Sequence, residues 1–244
     1  MDIKPYLREV SLKHDQINNI KEYPFNIPAI SELDTLNFHP DVTFFVGENG
    51  SGKSTLLESI AFMMGFGSEG GTKNTLFSTA DTVSNLHHYL KIVKNFSKPD
   101  DHYFLRAESF YNVASYMDET GYLNDYGGKS LHQQSHGESF MATLLHKLKG
   151  NGLYLFDEPE AALSPSRQMA AISAIHQLIE NGSQFIIATH SPILLAYPRS
   201  KIMQFDEMGI SEVRYKDTEH YVITKEFLNH HQDMIKYLIE DDLD

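Results

Sequence analysis

The sequence contains neither cysteine nor tryptophan among its 244 residues. Without cysteine, disulfides, thiolate metal sites and cysteine nucleophiles are all excluded. Membrane-length apolar runs are also lacking, since segments such as TFFVG and FIIA have the length of a buried strand. The N-terminal stretch MDIKPYLREV has no apolar run behind its charges, so no signal peptide is predicted. We therefore expect a globular chain with no membrane segment and, by default, a cytoplasmic location.

Positive charge is scarce, with 20 basic against 33 acidic residues and a formal net charge of -13. This balance opposes a protein that coats nucleic acid through diffuse positive charge. A local contact to DNA stays open at a modest lysine cluster within residues 65–100, although a solvated face is the simpler interpretation. The cluster consists of Lys73, Lys91, Lys94 and Lys98.

Three short apolar runs predict strands that are buried on both faces, because they lack the alternation of a half-buried strand. They are VTFFVG at 42–47, LYLF at 153–156 and QFIIAT at 184–189. Helical periodicity follows each of the first two runs, and Ser164-Pro165 marks one helix start. This alternation predicts an α/β fold with a mostly parallel central sheet.

The remaining segments carry weaker patterns. Residues 1–41 are punctuated by proline and predict short extended pieces, an N-terminal antiparallel β part. Helical potential lies near 80–96, a strand is predicted over 102–110, and FLNHHQDMIKYLIE at the C-terminus is amphipathic. No linker interrupts the chain, so we predict a single domain over 1–244 with a small helical insert at about 65–150.

The segment GENGSGKS at 47–54 matches the phosphate-loop pattern G-x-x-x-x-G-K-[ST]. Its glycines allow backbone N–H groups to cradle phosphate oxygens at a helix N-terminus. Lys53 would reach the β- and γ-phosphates, and the Ser54 hydroxyl would coordinate Mg²⁺. A chance glycine-rich turn is disfavoured by the strand before the loop and the helix after it. The predicted nucleotide-binding residues here are Glu48, Asn49, Gly50, Ser51, Gly52, Lys53, Ser54 and Thr55.

Two further sites follow the other predicted core strands. Asp157 and Glu158 end the strand LYLF; in a phosphate-loop protein the aspartate holds Mg²⁺ and the glutamate polarises an attacking water. His190 follows QFIIAT at the same predicted sheet edge, which suggests a contact to the γ-phosphate. The alternatives are a solvated Asp-Glu-Pro turn and a structural histidine.

The segment SHGES at 135–139 precedes an apolar helical pattern and has the spacing of a capping box, with Ser135 as N-cap and Glu138 at N3. A capped N-terminus beside Gly137 is also an anion site. A serine hydrolase is excluded because G-x-S-x-G is absent. A metal site on His132 and His136 lacks a third ligand.

Taken in order, GENGSGKST, SHGES, LYLFDEPEAALSP and THSP resemble the Walker A, signature, Walker B with D-loop, and switch-histidine motifs of the ABC-type ATPase superfamily. The style of GENGSGKSTLLESIAF and DEPEAAL is similar to the DNA-repair, chromosome-maintenance and overcoming-lysogenization-defect (OLD) branches. Two departures stand out. Glu108 is the nearest candidate for the usual metal-binding glutamine, and Ser164 lies at or near the usual D-loop aspartate.

The resemblance implies a P-loop fold that binds ATP and Mg²⁺ and hydrolyses ATP. It implies a homodimer with ATP at the interface, in which Ser135, Gly137 and Glu138 of one chain act on the nucleotide of the other. No second chemistry is visible, so an effector would be a separate protein, in a process such as DNA repair or phage defence.

The alternatives are the nucleotide-binding subunit of a membrane ABC transporter and an ATP sensor that binds without turnover. The adenine-stacking residue has no motif, and Phe25 and Phe38 are its candidates.

Overall fold

The computed structural model describes residues 4–67, 70–71, 84–106 and 135–240. Six strands form the central sheet, in the order β5-β6-β7-β3-β8-β9. The first five are mutually parallel, and β9 pairs antiparallel with β8 at one edge. Their bounds are β3 Val42–Gly47, β5 Asp101–Arg106, β6 Gly152–Asp157, β7 Gln184–Ala188, β8 Ser200–Asp206 and β9 Gly209–Val213. The mostly parallel α/β sheet predicted from the sequence is confirmed.

A second, antiparallel sheet has the order β2-β1-β4. Its strands are β1 Leu7–Leu12, β2 Thr35–Asn37 and β4 Leu90–Lys94. The predicted N-terminal antiparallel part is therefore present, and it takes its third strand from beyond the phosphate loop. Within the described residues 84–96, the helical potential yields one helical turn before β4, because Leu90 is buried at the start of the strand that pairs with β1.

Helices cover the sheets on both sides. Their bounds are α1 Pro28–Ser31, α2 Lys53–Met63, α3 Leu86–Tyr89, α4 His136–Ala142, α5 Pro165–Glu180 and α6 Glu219–Glu240. A π-helical turn, Thr143–Lys147, continues α4. The amphipathic pattern at the C-terminus predicted a shorter helix than α6. The helix begins eight residues before Phe227 and is kinked at His230.

Two apolar cores lie on opposite faces of the central sheet. One core packs α2 and the antiparallel sheet against side chains such as Phe45, Leu155 and Ile186. The other packs α4 and α5 against Phe44, Phe156 and other side chains of the opposite face. All residues of β3, β6 and β7 are buried, which explains their continuous apolar sequences.

The order β6-β7-β3 brings three chain segments to one edge of the sheet. Asp157 pairs with Ala188 in register, and Ala188 pairs with Phe45. The residues that follow these parallel strands therefore lie side by side at their carboxyl ends, where α/β proteins bind ligands.

Candidate functional site

The phosphate loop connects β3 to α2, as the sequence predicted. Gly47, Gly50 and Gly52 all have positive φ, at 143°, 80° and 99°. Gly47 also has no room for a side chain, since a Cβ there would lie 2.3 Å from the carbonyl oxygen of Phe205. Gly52 serves as N-cap of α2 without a side-chain hydrogen bond. The loop thus leaves the N-terminal N–H groups of α2 available to an anion.

Lys53 is 4% exposed, although it is a cation. Its ammonium donates to the carbonyl oxygens of Gly47 at 2.7 Å and Glu48 at 2.8 Å. Burial lowers the pKa of Lys53, and the nearby carboxylates of Glu158 and Asp157 partly oppose that effect. The loop therefore holds a buried positive charge that an anionic ligand would stabilise.

Ser54 and Asp157 face each other across the base of the loop. The Ser54 hydroxyl donates to Oδ1 of Asp157 at 2.9 Å. Burial raises the pKa of Asp157 to about 7, against the hydrogen bond from Ser54, which lowers it. A carboxylate in this position is costly unless a cation joins it.

The pair fits Mg²⁺ by its donor set, a hydroxyl and one carboxylate. Mg²⁺ is usually held by one or two carboxylates together with waters and substrate phosphates. In the described ranges, which leave out 107–134, no group of three or more His, Asp or Glu residues could hold a metal ion. Glu108, the third predicted ligand, lies outside the described residues.

Glu158 and His190 meet at the next position along the sheet edge. Glu158 has a left-handed backbone, φ 51° and ψ 51°, and its N–H donates to the carbonyl oxygen of Ala188 at 2.9 Å. Its Oε1 lies 3.6 Å from Nε2 of His190. The His190 backbone N–H donates to Oε1 of Glu160 at 2.5 Å. A strained backbone at a site residue is a typical functional signature.

His220, at the start of α6, contacts His190, and no sequence motif indicated this contact. Its Nε2 lies 2.9 Å from Nδ1 of His190. Burial lowers the pKa of His190 to about 4, with the Lys53 charge as the second cause. Burial also lowers the pKa of His220. Burial therefore favours the neutral form of both rings.

A crevice of about 580 Å³ opens over these groups. Three carboxylates, Glu48, Glu158 and Glu219, and the two histidines line it. The remaining lining residues are Asn49, Ile223 and Thr224. The crevice thus places the start of the phosphate loop, the acidic residue after β6 and the histidine after β7 around one space.

SHGES lies apart from this crevice, at the start of α4. The capping box is confirmed: Ser135 Oγ accepts from the Glu138 N–H at 3.4 Å, and Glu138 Oε2 accepts from the Ser135 N–H at 2.9 Å. Arg167 of α5 donates to Ser135 Oγ at 3.1 Å and lies 3.5 Å from Glu138 Oε1. Ser135, His136 and Glu138 are exposed, whereas Gly137 is buried against Arg167 and Ala162.

The two candidates for adenine stacking are wrong. Phe25 and Phe38 are 5% and 6% exposed in the core, where Phe25 packs edge-on against Tyr89. Tyr23, which the sequence reasoning missed, is instead 60% exposed, and its hydroxyl lies 3.2 Å from Oγ1 of Thr55. The position of Tyr23, two residues before the core residue Phe25, follows no helix or strand periodicity. Its contact with α2 therefore depends on the tertiary fold.

No helix in the described part of the chain combines the length and apolar character needed to cross a membrane. Of the lysine cluster, Lys91, Lys94 and Lys98 are exposed on or near β4, and Lys73 lies outside the described residues. Their exposure fits a solvated face as well as a contact to an anionic partner.

Comparison with known protein families identifies two segments. Residues 16–149 match a family model described as an AAA domain. Residues 139–196 match a model described as AAA domain, putative AbiEii toxin, Type IV TA system. No curated protein sequence is detectably similar to this chain.

Solved structures with the same fold include an ABC transporter component and an SMC head. One is cbiO1 from Clostridium perfringens, part of the ABC transporter complex cbiONQ, with a TM-score of 0.51 and 20% identity over 97% of this chain and 100% of that one. The other is an SmcHead bound to the C-winged helix domain of ScpA, with a TM-score of 0.51 and 14% identity over 86% of this chain and 98% of that one. At these identities the likeness concerns the fold alone.

The phosphate loop between β3 and α2, the parallel sheet and the match over residues 16–149 agree with one another. The chain therefore belongs to the AAA domain family and is a nucleotide-binding ATPase with the fold of the ABC-type ATPase superfamily.

Proposed function

We propose that this ATPase works as an ATP-sandwich homodimer, in which each nucleotide lies between the phosphate loop of one chain and SHGES of the other. One observation carries the proposal. Glu158, His190 and the first residues of the phosphate loop, Glu48 and Asn49, line one crevice. Ser135 instead lies at an exposed helix N-terminus whose described side-chain contacts are with Glu138 and Arg167. A helix N-terminus exposed at the surface suits an anion that a second chain brings.

Within one chain, the proposed roles follow from the contacts. Lys53, now held by two backbone carbonyls, would turn its buried charge to the β- and γ-phosphates, which the glycine-rich loop and the start of α2 cradle. Ser54 and Asp157 would hold Mg²⁺, whose chemistry is to neutralise the charge that develops on the phosphate oxygens. The ion would also keep Asp157 ionised.

Glu158 would accept the proton of the attacking water, because it is the carboxylate that faces the crevice beside Asp157. His190 would donate from Nε2 to the γ-phosphate, since this nitrogen is buried without a hydrogen-bond partner at the same crevice. Tyr23 would stack on the adenine, which its exposed ring beside Thr55 permits.

The biological role that we propose is a switch, in which ATP-driven dimerisation changes a separate effector protein. Support for a defence or repair process comes from the motif style and from the match of residues 139–196 to a model whose description names a putative toxin. The described residues carry no second cluster of metal-ligating side chains that would supply a nuclease activity of their own. The fold itself does not decide against a transporter subunit, because transporter and SMC-head structures score equally.

The solution mass of a Glu158→Gln variant, with and without Mg·ATP, tests the proposal. The variant retains the phosphate and Mg²⁺ groups but lacks the base, so the ATP-bound form should accumulate. We expect the mass to double on adding Mg·ATP, and a second substitution, Ser135→Arg, to prevent this without removing ATP binding. An ATP-bound chain that stays monomeric would overturn the sandwich. A mass that doubles equally with Ser135→Arg would remove SHGES from the interface.

A further inference from the structure

We infer that His220 is a positioning residue for ATP hydrolysis, which fixes His190 in the tautomer that presents an Nε2–H to the nucleotide. The inference rests on the proposed role of His190 at the γ-phosphate and adds to it a residue from the C-terminal helix α6. His220 lies outside residues 16–149 and 139–196, which the two family models match.

The hydrogen bond between the two rings limits the choices. His190 Nδ1 and His220 Nε2 lie 2.9 Å apart, so one nitrogen must donate and the other must accept. A neutral imidazole carries a single N–H. If His220 donates, the proton of His190 is on Nε2; if His190 donates from Nδ1, its Nε2 is a bare acceptor. The partner ring thus determines what His190 presents to the crevice.

The Glu158 carboxylate selects between these two arrangements. Its Oε1 lies 3.6 Å from His190 Nε2. An Nε2–H is attracted to that oxygen, whereas a bare Nε2 lone pair facing a carboxylate is repelled. The other charged groups around the rings are Lys53, Glu48, Glu160 and Glu219. Among the described contacts, the ring hydrogen bond of each histidine is to the other histidine, and Glu160 bonds the backbone of His190. The geometry therefore assigns the donor role to His220.

The two ring nitrogens outside the hydrogen bond between His190 and His220 have the positions that this role requires. His190 Nε2 and His220 Nδ1 are both buried without a hydrogen-bond partner. With His220 donating, His190 Nε2 carries the proton and is free for a phosphate oxygen in the crevice, beside Glu158 and Asn49. The outer Nδ1 of His220 is then an acceptor, which has no part in the contact. Catalytic and metal-binding histidines are commonly oriented in this way, by a hydrogen bond between their second ring nitrogen and a neighbouring group.

Steady-state ATP turnover by His220→Leu and His220→Gln tests the inference in the full-length protein. Leucine fills the site without a donor, while the glutamine amide can donate to His190 Nδ1. We expect kcat to fall about 10-fold in His220→Leu with KM nearly unchanged, since the contact affects catalysis rather than ground-state binding. His220→Gln should recover most of the loss. Equal kcat in His220→Leu and wild type, or no recovery with glutamine, would overturn the donor role.

The same two positions form a double-mutant cycle with His190→Ala. If His220 acts through His190, His220→Leu has no further effect on kcat in the His190→Ala background. An equally large effect in both backgrounds would show an independent role and overturn the inference. Thermal unfolding of each variant identifies any that fails to fold, and the glutamine variant then decides.

Ring ¹⁵N resonances provide a readout that does not need turnover. With ¹⁵N-histidine label, His190 is identified by the signals that His190→Gln removes, and protonated and bare ring nitrogens have distinct shifts. We expect the Nε2–H tautomer of His190 in the wild type and loss of that preference in His220→Leu. An Nδ1–H tautomer in the wild type would overturn the inference. If the wild type hydrolyses no ATP, the proposed function fails, and this measurement still decides the role of His220.

Discussion

The phosphate-loop region and the SHGES region differ in how far their polar side chains are exposed. Around the loop, Lys53 is 4% exposed and Asp157 is 7% exposed, and both are held by partners from the same chain. At SHGES, Ser135 and Glu138 are exposed and their contacts are a helix cap and Arg167. The first region is a buried cluster of charges, and the second is a surface.

This difference suggests what each region contributes to a dimer. Burial fixes the phosphate loop before any nucleotide arrives, because the buried charges of Lys53 and Asp157 need local partners. SHGES has no comparable buried charge, so its exposed hydroxyl would exchange its contacts with Glu138 and Arg167 for an anion that another chain supplies. The following predictions test this difference between the two regions.

The largest effect is expected at the catalytic carboxylate. Glu158→Gln should keep ATP binding and reduce hydrolysis by about 100-fold or more, because a positioned base contributes on that order. Nucleotide affinity and phosphate release measure the two quantities separately. Glu212→Gln, on exposed β9, makes the same charge change away from the crevice and should leave both unaltered. Retained turnover would remove Glu158 from its role.

A second prediction concerns the rigidity of the loop. Gly47→Ala should lower the free energy of unfolding by about 1–3 kcal/mol, because its Cβ would meet the Phe205 carbonyl oxygen at 2.3 Å. Gly50→Ala is the matched control, since it also has a positive φ but no atom within 4 Å of its Cβ. Urea unfolding of the two variants measures the difference. Equal losses would mean that backbone strain, not the close approach, sets the cost.

A smaller effect is expected at the SHGES cap. Ser135→Ala should cost about 1 kcal/mol of stability, since it removes the acceptor for the Glu138 N–H. Ser135→Asn should recover this stability because asparagine also caps helices well. In a Glu158→Gln background, both variants should nevertheless weaken the ATP-dependent increase in mass. If Ser135→Asn recovers stability and dimerisation alike, SHGES is only a helix cap.

The smallest effect is a change in pH dependence. The pKa of His190 lies near 4 in the folded chain, below the usual 6.5, so the unfolded state binds more protons between these values. The contribution of His190 to stability should therefore rise as the pH increases from about 4 to 6.5, whereas Asp157, whose pKa is raised to about 7, contributes in the opposite direction. His190→Gln should remove the rising contribution. Urea unfolding at a series of pH values checks this. An unchanged slope in the variant would assign the rise to other groups.

The sequence by itself determined the parts of the site that a local pattern encodes. The phosphate loop, the acidic residues after β6 and the capping box at Ser135 each depend on neighbouring residues within one strand–turn–helix unit. The apolar runs of β3, β6 and β7 also sufficed to predict a parallel sheet, because strands buried on both faces leave continuous apolar sequence.

Only the tertiary structure decided which distant residues meet. β4 lies within the stretch 80–96, for which the sequence predicted helical potential, and pairs with β1. Tyr23 contacts Thr55, and Arg167 contacts Ser135. His220 contacts His190 across 30 residues for the same reason. Such contacts depend on how strands are ordered and how helices pack, and a single sequence carries no periodic signal for either.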